Sequence, residues 1–212
     1  MTTDINIVNL IVLFTSLWAI ARLDGGNERH RLVLMILFLM LATEIFYVVA
    51  RHAGLHAGRF VTFAAIIHNV LWLYTLSRVY RDRLIAVAAN AIFLGFAVVN
   101  YAFLEGWEVF NYNTFIVGSL IYLLLLLNKS FLLLRREQLD FFLTNDYVLA
   151  GIPVPLFFGL SLVFAFKDLH ISQYKIVGDI TLYQFLISVV NLCYYSMILL
   201  YIRNENKLNR AG

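Results

Sequence analysis

The chain has 212 residues, of which 62% are hydrophobic and only 14% are charged, and its mean hydropathy is +0.81. Soluble domains carry roughly 25% charged residues, so this composition excludes an ordinary soluble domain. The net charge of +3 comes from Lys and Arg that stand between apolar runs. That placement is typical of membrane topology, so we expect membrane lipid as a partner and no nucleic acid.

Seven apolar segments approach the roughly 20 residues that a membrane-spanning helix needs. They predict an all-α, polytopic membrane protein whose single domain, residues 1–212, is a seven-transmembrane-helix bundle. Short connections predict that consecutive helices are antiparallel neighbours, and Pro153 and Pro155 predict a kink in the sixth helix. The predicted spans are Ile5–Ala21, Leu32–Ala50, Phe60–Tyr80, Leu84–Leu104, Phe110–Leu134, Tyr147–Phe166 and Thr181–Ile202.

The cations are distributed unevenly between the two ends of these spans. One end has only Arg51, Arg59, Lys167 and Lys175. The other end has twelve of the 16 Lys and Arg residues: Arg22, Arg29, Arg31, Arg78, Arg81, Arg83, Lys129, Arg135, Arg136, Arg203, Lys207 and Arg210. The positive-inside rule therefore predicts that the N-terminus lies outside and the C-terminus lies in the cytoplasm.

Two ionisable residues, Glu44 and His68, stand inside the second and third spans. A charged side chain in hydrocarbon costs ~2.5–3.5 kcal/mol on insertion scales, so each needs a physical reason. With the predicted topology both lie in the outer half, at similar depth on neighbouring helices. A hydrogen bond or ion pair between them is geometrically available. Two interpretations remain open: a ligand- or proton-responsive site, and a polar clamp that fixes the register of two helices.

The last span carries a polar stripe. Gln184, Ser188, Asn191 and Tyr195 recur at spacings of four, three and four, which places them on one helical face. Together with Glu44, His68 and Asn69 they are the candidate lining of an outward-facing polar cavity. The alternative is ordinary interhelical hydrogen bonding, worth about 0.6 kcal/mol per bond. We expect Gln184 and Asn191 to line the cavity and not to serve only as interhelical hydrogen-bonding residues.

Metal and cofactor chemistry is disfavoured by the residues at hand. His52 and His56 have a helical metal-binding spacing but fall in a glycine-containing loop without a nearby Cys, Asp or Glu. His30 and His170 also fall in loops and give no functional signal. The last span has no lysine for a retinal Schiff base, and no nucleotide-binding or catalytic-serine motif is visible. We expect no metal and no cofactor, and an enzyme is the less favoured reading.

The connection between the fifth and sixth spans, Arg135 to Asp146, mixes charge with apolar residues. Arg135, Arg136, Phe141 and Phe142 are candidates for docking a cytoplasmic or membrane partner, or for lying in the membrane interface. The alternative is a plain loop with a helix cap at Asn145 or Asp146.

An ordered set of short patterns resembles an uncharacterised family of small bacterial seven-transmembrane-helix proteins. The patterns are Thr43-Glu44-Ile45, His68-Asn69, Phe110-Asn111-Tyr112 and the Pro153/Pro155 helix. The resemblance implies the bacterial inner membrane, and proximity of such proteins to sensor kinases implies a signalling role by association. The first functional hypothesis is a membrane signalling or accessory protein that senses a lipid, small molecule or proton. The alternatives are a small transporter or channel subunit and a lipid-modifying membrane enzyme.

Overall fold

The computed structural model describes residues 7–106, 109–167, 169, 174–178 and 180–211. A π-helical turn at Asn100–Leu104 prolongs the fourth helix, a 3₁₀ helix at Leu139–Leu143 precedes the sixth, and a hairpin of β1 (Lys175–Val177) and β2 (Ile180–Thr181) precedes the eighth. The α-helices are α1 (Ile7–Arg22), α2 (Glu28–His52), α3 (Gly58–Tyr80), α4 (Arg83–Val99), α5 (Tyr112–Arg135), α6 (Asn145–Gly151), α7 (Val154–Ala165) and α8 (Leu182–Ala211).

The predicted all-helical membrane bundle is confirmed at the level of its helices. Among the described residues, six helical stretches are long and apolar enough to cross a membrane, with α6 and α7 counted together as Asn145–Ala165. The first helix is shorter, since the 16 residues of α1 extend only about 24 Å against a hydrocarbon core of about 30 Å. Its predicted start at Ile5 lies outside the described residues.

Large apolar side chains cover the outside of the bundle. Phe38, Leu84 and Phe103 are 73%, 82% and 81% exposed. Soluble proteins rarely expose contiguous apolar patches beyond a few hundred Å², so a surface of this kind requires lipid around it. The chain is therefore a multi-pass membrane protein.

The helices close into a ring in which α8 packs against α1, α1 against α2, and α2 against α3. The ring continues through α4, α5 and α7 back to α8, while α3 also packs against α5 and α6. The consecutive helices α1 to α5 are therefore neighbours, as their short connections predict. Because its backbone packs against α2, α4, α5 and α6, α3 lies toward the inside of the ring, and buried Trp72, Leu73 and Leu76 form part of the core.

The sixth predicted span is broken at its prolines, which confirms the expected kink. It divides into α6 and α7 between Gly151 and Val154, because Pro153 and Pro155 have no N–H to donate to the preceding turn. The hydroxyl of buried Tyr122 on α5 donates to the Ala150 carbonyl at 2.7 Å. A neighbouring helix thus satisfies a backbone group beside the break, as hydrocarbon surroundings require.

Side-chain caps start α2, α4 and α6. Asn27 accepts from the Arg29 N–H before α2, and Asp82 accepts from the Ile85 N–H before α4. The N-cap of α6 is Thr144, so the expected cap at Asn145 or Asp146 is wrong by one or two residues. These two side chains are used in contacts with other helices instead.

Candidate ligand cavity and polar networks

A cavity of about 690 Å³ lies between α1, α2, α3 and α8, at the end of the bundle that has few cations. Its volume falls within the roughly 300–1,000 Å³ of typical small-molecule sites. Apolar walls come from Val8, Val48, Val61 and Ile187. Polar and charged groups come from Asn9 on α1, Glu44, Arg51 and His52 on α2, and Gln184 and Asn191 on α8.

Glu44 is the carboxylate of this cavity. It lies eight residues before the end of α2, which places it about 12 Å from that helix end. Its side chain is half-buried, and it makes no hydrogen bond or ion pair with any other described residue. A carboxylate that faces a cavity and has no partner among the described residues is a site that a proton or a ligand can complete.

The four residues of the predicted polar stripe on α8 do not all line the same cavity. Gln184 and Asn191 line the cavity together with Glu44. Ser188 donates to the Gln184 carbonyl at 2.9 Å within its own helix. Tyr195 is buried and lines a different, mostly apolar groove of about 320 Å³ between α1 and α8. Of the four residues, only two therefore share the cavity.

Gln184 also starts the helix. Its side-chain oxygen accepts from the Thr181 N–H at 3.1 Å, and Thr181 Oγ1 accepts from the Gln184 N–H at 3.2 Å. This reciprocal pair is a capping box, whose Thr-x-x-Gln spacing is readable from the sequence. The box fixes the start of α8 directly after the β1–β2 hairpin, and so fixes the position of Gln184 at the cavity.

The expected hydrogen bond between Glu44 and His68 is absent among the described residues. His68 is buried and its Nε2 lies 3.2 Å from the Tyr194 hydroxyl on α8. The same Nε2 accepts from the Trp72 indole N–H at 3.1 Å, and that N–H lies 3.3 Å from the Tyr194 oxygen. The three side chains, the His68 cluster, join α3 to α8 in the core. These contacts favour the clamp interpretation for His68, with α8 and not α2 as the partner helix.

Asn69 lies in the core on the α5 side of α3. Its amide donates to the Ala65 carbonyl at 2.9 Å. A Cβ added to Gly118 on α5 would lie 2.7 Å from Asn69 Oδ1 and 2.6 Å from a ring carbon of Phe93. The glycine therefore permits the close approach of α5 to α3, and Asn69 does not line the cavity.

At the cation-rich end, His30 belongs to a network that sequence reasoning missed. The ring is buried; its Nδ1 accepts from the Asp24 N–H at 3.2 Å, and Nε2 lies 3.1 Å from the Glu205 carboxylate on α8. Because Nδ1 is an acceptor, the ring hydrogen is on Nε2 and is donated to Glu205. Glu205 also accepts from Asn145, and Arg29 pairs with Asp146. The only sequence signal was a histidine next to the start of an apolar span.

A second ion pair at this end joins Asp82, before α4, to Lys129 of α5. The hydrogen bond from Lys129, followed by that from the Ile85 N–H, holds the pKa of Asp82 below its usual range. Asp82 thus has two roles, as a helix cap and as a partner of α5.

In the predicted docking segment, Arg135 to Asp146, the exposed apolar residues differ from the expected ones. Arg135 and Arg136 are exposed. Phe141 and Phe142 are half-buried and turn inward, with ring centroids 5.3 Å from Tyr80 and 4.9 Å from Tyr147 respectively. Exposed apolar surface comes instead from two residues of the 3₁₀ helix, Leu139 (59%) and Leu143 (88%).

Within the described residues, no group of three or more His, Cys, Asp or Glu side chains is placed to hold a metal ion. His52 lines the cavity, whereas His170 lies outside the described residues. No protein-family model, no curated protein and no solved structure matches the chain.

Proposed function

We propose that the protein is a membrane signalling or accessory subunit that binds a small molecule or lipid headgroup in the Glu44 cavity. The observation that supports this function is a carboxylate that has no hydrogen-bond or ion-pair partner among the described residues and lines a cavity of about 690 Å³. Functional sites place a few polar groups in a largely apolar cavity, which agrees with the mixture of Glu44, Gln184 and Asn191 with valine and isoleucine.

A response at the opposite end needs an element that both ends share. Two helices provide it, because α2 and α8 line the cavity and meet again through the His30–Glu205 hydrogen bond. An occupant that separates α2 from α8 would weaken this bond. Glu205 also holds Asn145 at the start of α6, so the change would reach the segment between α5 and α6. Interhelical shifts of about 1–2 Å are sufficient in known switches.

The proposed partner surface is the exposed part of that segment. Arg135 and Arg136 provide positive charge, and Leu139 and Leu143 provide apolar side chains. This combination suits either a juxtamembrane partner or the anionic headgroups of the inner leaflet.

The proposed orientation is N-terminus outside and C-terminus in the cytoplasm of a bacterial inner membrane, with α1 as a seventh span. Twelve cations at the His30–Glu205 end support it through the positive-inside rule. In that orientation the cavity faces the periplasm. An alkaline phosphatase fused after residue 212 should be inactive and a cytoplasmic reporter fused there active; the reverse result would overturn the orientation.

A transporter or channel subunit is the second candidate, and the proline break between α6 and α7 favours it. However, the cavity is lined by α1, α2, α3 and α8, not by the broken helix. Transporters usually place their broken helices at the substrate site. Flux of protons or common solutes in proteoliposomes would support transport over sensing. A lipid-modifying enzyme that uses Glu44 and His68 as acid and base is weakened, because the two side chains face different surroundings.

Filling the cavity tests the proposed binding. Ile187→Trp projects an indole into it, while Val189→Trp, two residues away on an exposed position of the same helix, is the matched control. Small molecules and lipids that co-purify with the three proteins are compared by mass spectrometry. We expect at least one compound that wild type and Val189→Trp retain and Ile187→Trp loses. The same compounds in all three would contradict a ligand in this cavity.

A further inference from the structure

We propose that the cavity binds an organic ammonium ion, with the cationic group at Glu44 and the Tyr47 ring and the apolar body against the valine and isoleucine walls. This inference rests on the proposed function and names the chemical class of its ligand. The observations that point to it are an acid that forms no ion pair with another described residue, an aromatic ring one turn away, and aliphatic walls.

The carboxylate is the first element of the site. Glu44 lies inside the helical bundle without a hydrogen bond or ion pair to the described residues. Leaving an ionised group unpaired in a low-dielectric region is costly, and a bound cation removes that cost. A ligand ammonium supplies both the opposite charge and N–H donors for the carboxylate oxygens, which makes a charge-assisted hydrogen bond.

An aromatic ring is the second element. Tyr47 follows Glu44 by three residues, so both side chains lie on one face of α2, and both line the cavity. Cations are attracted to the face of an aromatic ring, which is the recognition mode for quaternary ammonium ligands. A carboxylate and an aromatic ring side by side discriminate an ammonium from both a neutral polar group and an anion.

Apolar walls are the third element. Val8 on α1, Val48 on α2, Val61 on α3 and Ile187 on α8 come from four different helices. They surround a volume that holds a body several carbons in size. A hydrated metal ion would gain nothing from such walls, and the polar side chains present do not form a metal-binding group. The ligand is therefore an organic cation.

Two further charged or titratable groups face the cavity, and neither opposes a cation at Glu44. Arg51 and His52 stand at the end of α2, where both are exposed to solvent. Arg51 is seven residues from Glu44, or about 10.5 Å along the helix. Among the described residues Arg51 forms no ion pair with Glu44, and salt screens an exposed cation over a Debye length of about 8 Å. Placed at the rim, the two residues contact the outer end of the ligand.

An isosteric charge series on the full-length protein in nanodiscs of neutral lipid tests this assignment. Benzylammonium, benzyl alcohol and benzoate share one apolar body and differ in charge; their binding is measured by isothermal titration calorimetry. We expect benzylammonium to bind wild type at least tenfold more tightly than benzyl alcohol, and benzoate to bind most weakly. A tenfold ratio is the size expected for one charge-assisted hydrogen bond.

Variants of Glu44 and Tyr47 test which side chains cause the preference for benzylammonium. Glu44→Gln should reduce the ratio between benzylammonium and benzyl alcohol to about one. Tyr47→Leu should weaken benzylammonium severalfold, and Tyr47→Phe should keep its affinity, because the ring and not the hydroxyl attracts the cation. The charge series needs only wild type, so a variant that fails to fold does not remove the test.

Failure of the ammonium assignment can be distinguished from failure of the proposed ligand binding. If benzyl alcohol or benzoate binds wild type as tightly as benzylammonium, or if benzylammonium does not bind, the ammonium assignment is overturned. The ligand-binding function still stands in that case if Ile187→Trp loses a co-purifying compound. A benzylammonium preference that Glu44→Gln leaves intact would overturn the assignment of the cation to Glu44.

Discussion

Glu44 and His68 look alike in the sequence, yet the structure predicts opposite effects on stability when each is replaced. His68→Leu removes one side chain of the His68 cluster, whereas Glu44→Gln removes a charge that has no partner among the described residues. The first change should destabilise the protein. The second should leave its stability unchanged or raise it.

The magnitude for His68 follows from its contacts. Loss of the imidazole removes the hydrogen bonds at Nε2, and interhelical bonds in membranes average about 0.6 kcal/mol with a maximum near 1.7. The ring also packs edge-on against Phe157 at 5.8 Å, a geometry worth about 0.5–1.5 kcal/mol. Trp72 keeps its contact with Tyr194 and leucine refills most of the space. We expect a cost of about 1–3 kcal/mol.

For Glu44→Gln the amide retains the shape of the side chain and removes the charge. Because no described cation loses a partner, we expect a change between zero and about 2 kcal/mol in favour of the folded state, less than the insertion cost of a central charge. Unfolding of both variants is measured in mixed micelles with increasing dodecyl sulfate. If Glu44→Gln destabilises the protein as much as His68→Leu does, Glu44 has a structural partner and this prediction is wrong.

Three further predictions concern the contacts that position the helices. Gly118→Ala should cost about 1–3 kcal/mol, because the new Cβ overpacks against Asn69; thermal unfolding against a Gly95→Ala control, which meets open space, checks it. Tyr122→Phe should cost about 0.6–1.7 kcal/mol by leaving a carbonyl at the proline break unpaired; an equal melting temperature would contradict this. Asp82→Asn should destabilise the protein at pH 7. Because the pKa of Asp82 is lowered in the folded protein, ionised Asp82 stabilises the fold at pH values above its unfolded-state pKa of about 3.9. The difference in stability between wild type and Asp82→Asn should therefore shrink as the pH falls below about 4.

Much of the fold was predictable because hydrocarbon imposes simple rules on sequence. Apolar runs of about 20 residues predicted helix positions within a few residues of α2 to α5 and of the start of α8, and prolines marked the break between α6 and α7. The end of α8 was predicted at Ile202, whereas the helix continues to Ala211. The β1–β2 hairpin was not predicted, since its strands are only three and two residues long. Tertiary contacts rather than local pattern determine such short elements.

The site was only partly predictable, because periodicity gives the face of one helix but not the rotation of two helices relative to each other. Glu44, Gln184 and Asn191 do line one cavity, as the stripe and the misplaced acid suggested. His68 does not join them, because α3 turns that face toward α8 and Tyr194. His30 was overlooked, because its partner Glu205 is 175 residues away in the sequence and no local pattern connects them.

Glu44 lines the cavity between α1, α2, α3 and α8, whereas His68 is buried in the core. Thiol accessibility tests it directly. In a Cys193→Ser background, Glu44→Cys and His68→Cys are exposed in nanodiscs to a water-soluble methanethiosulfonate, and their labelling rates are compared after both variants are shown to be folded. The cysteine at position 44 should react at least tenfold faster than the one at position 68. Equal rates, or faster labelling at position 68, would contradict the division between a binding cavity and a structural clamp.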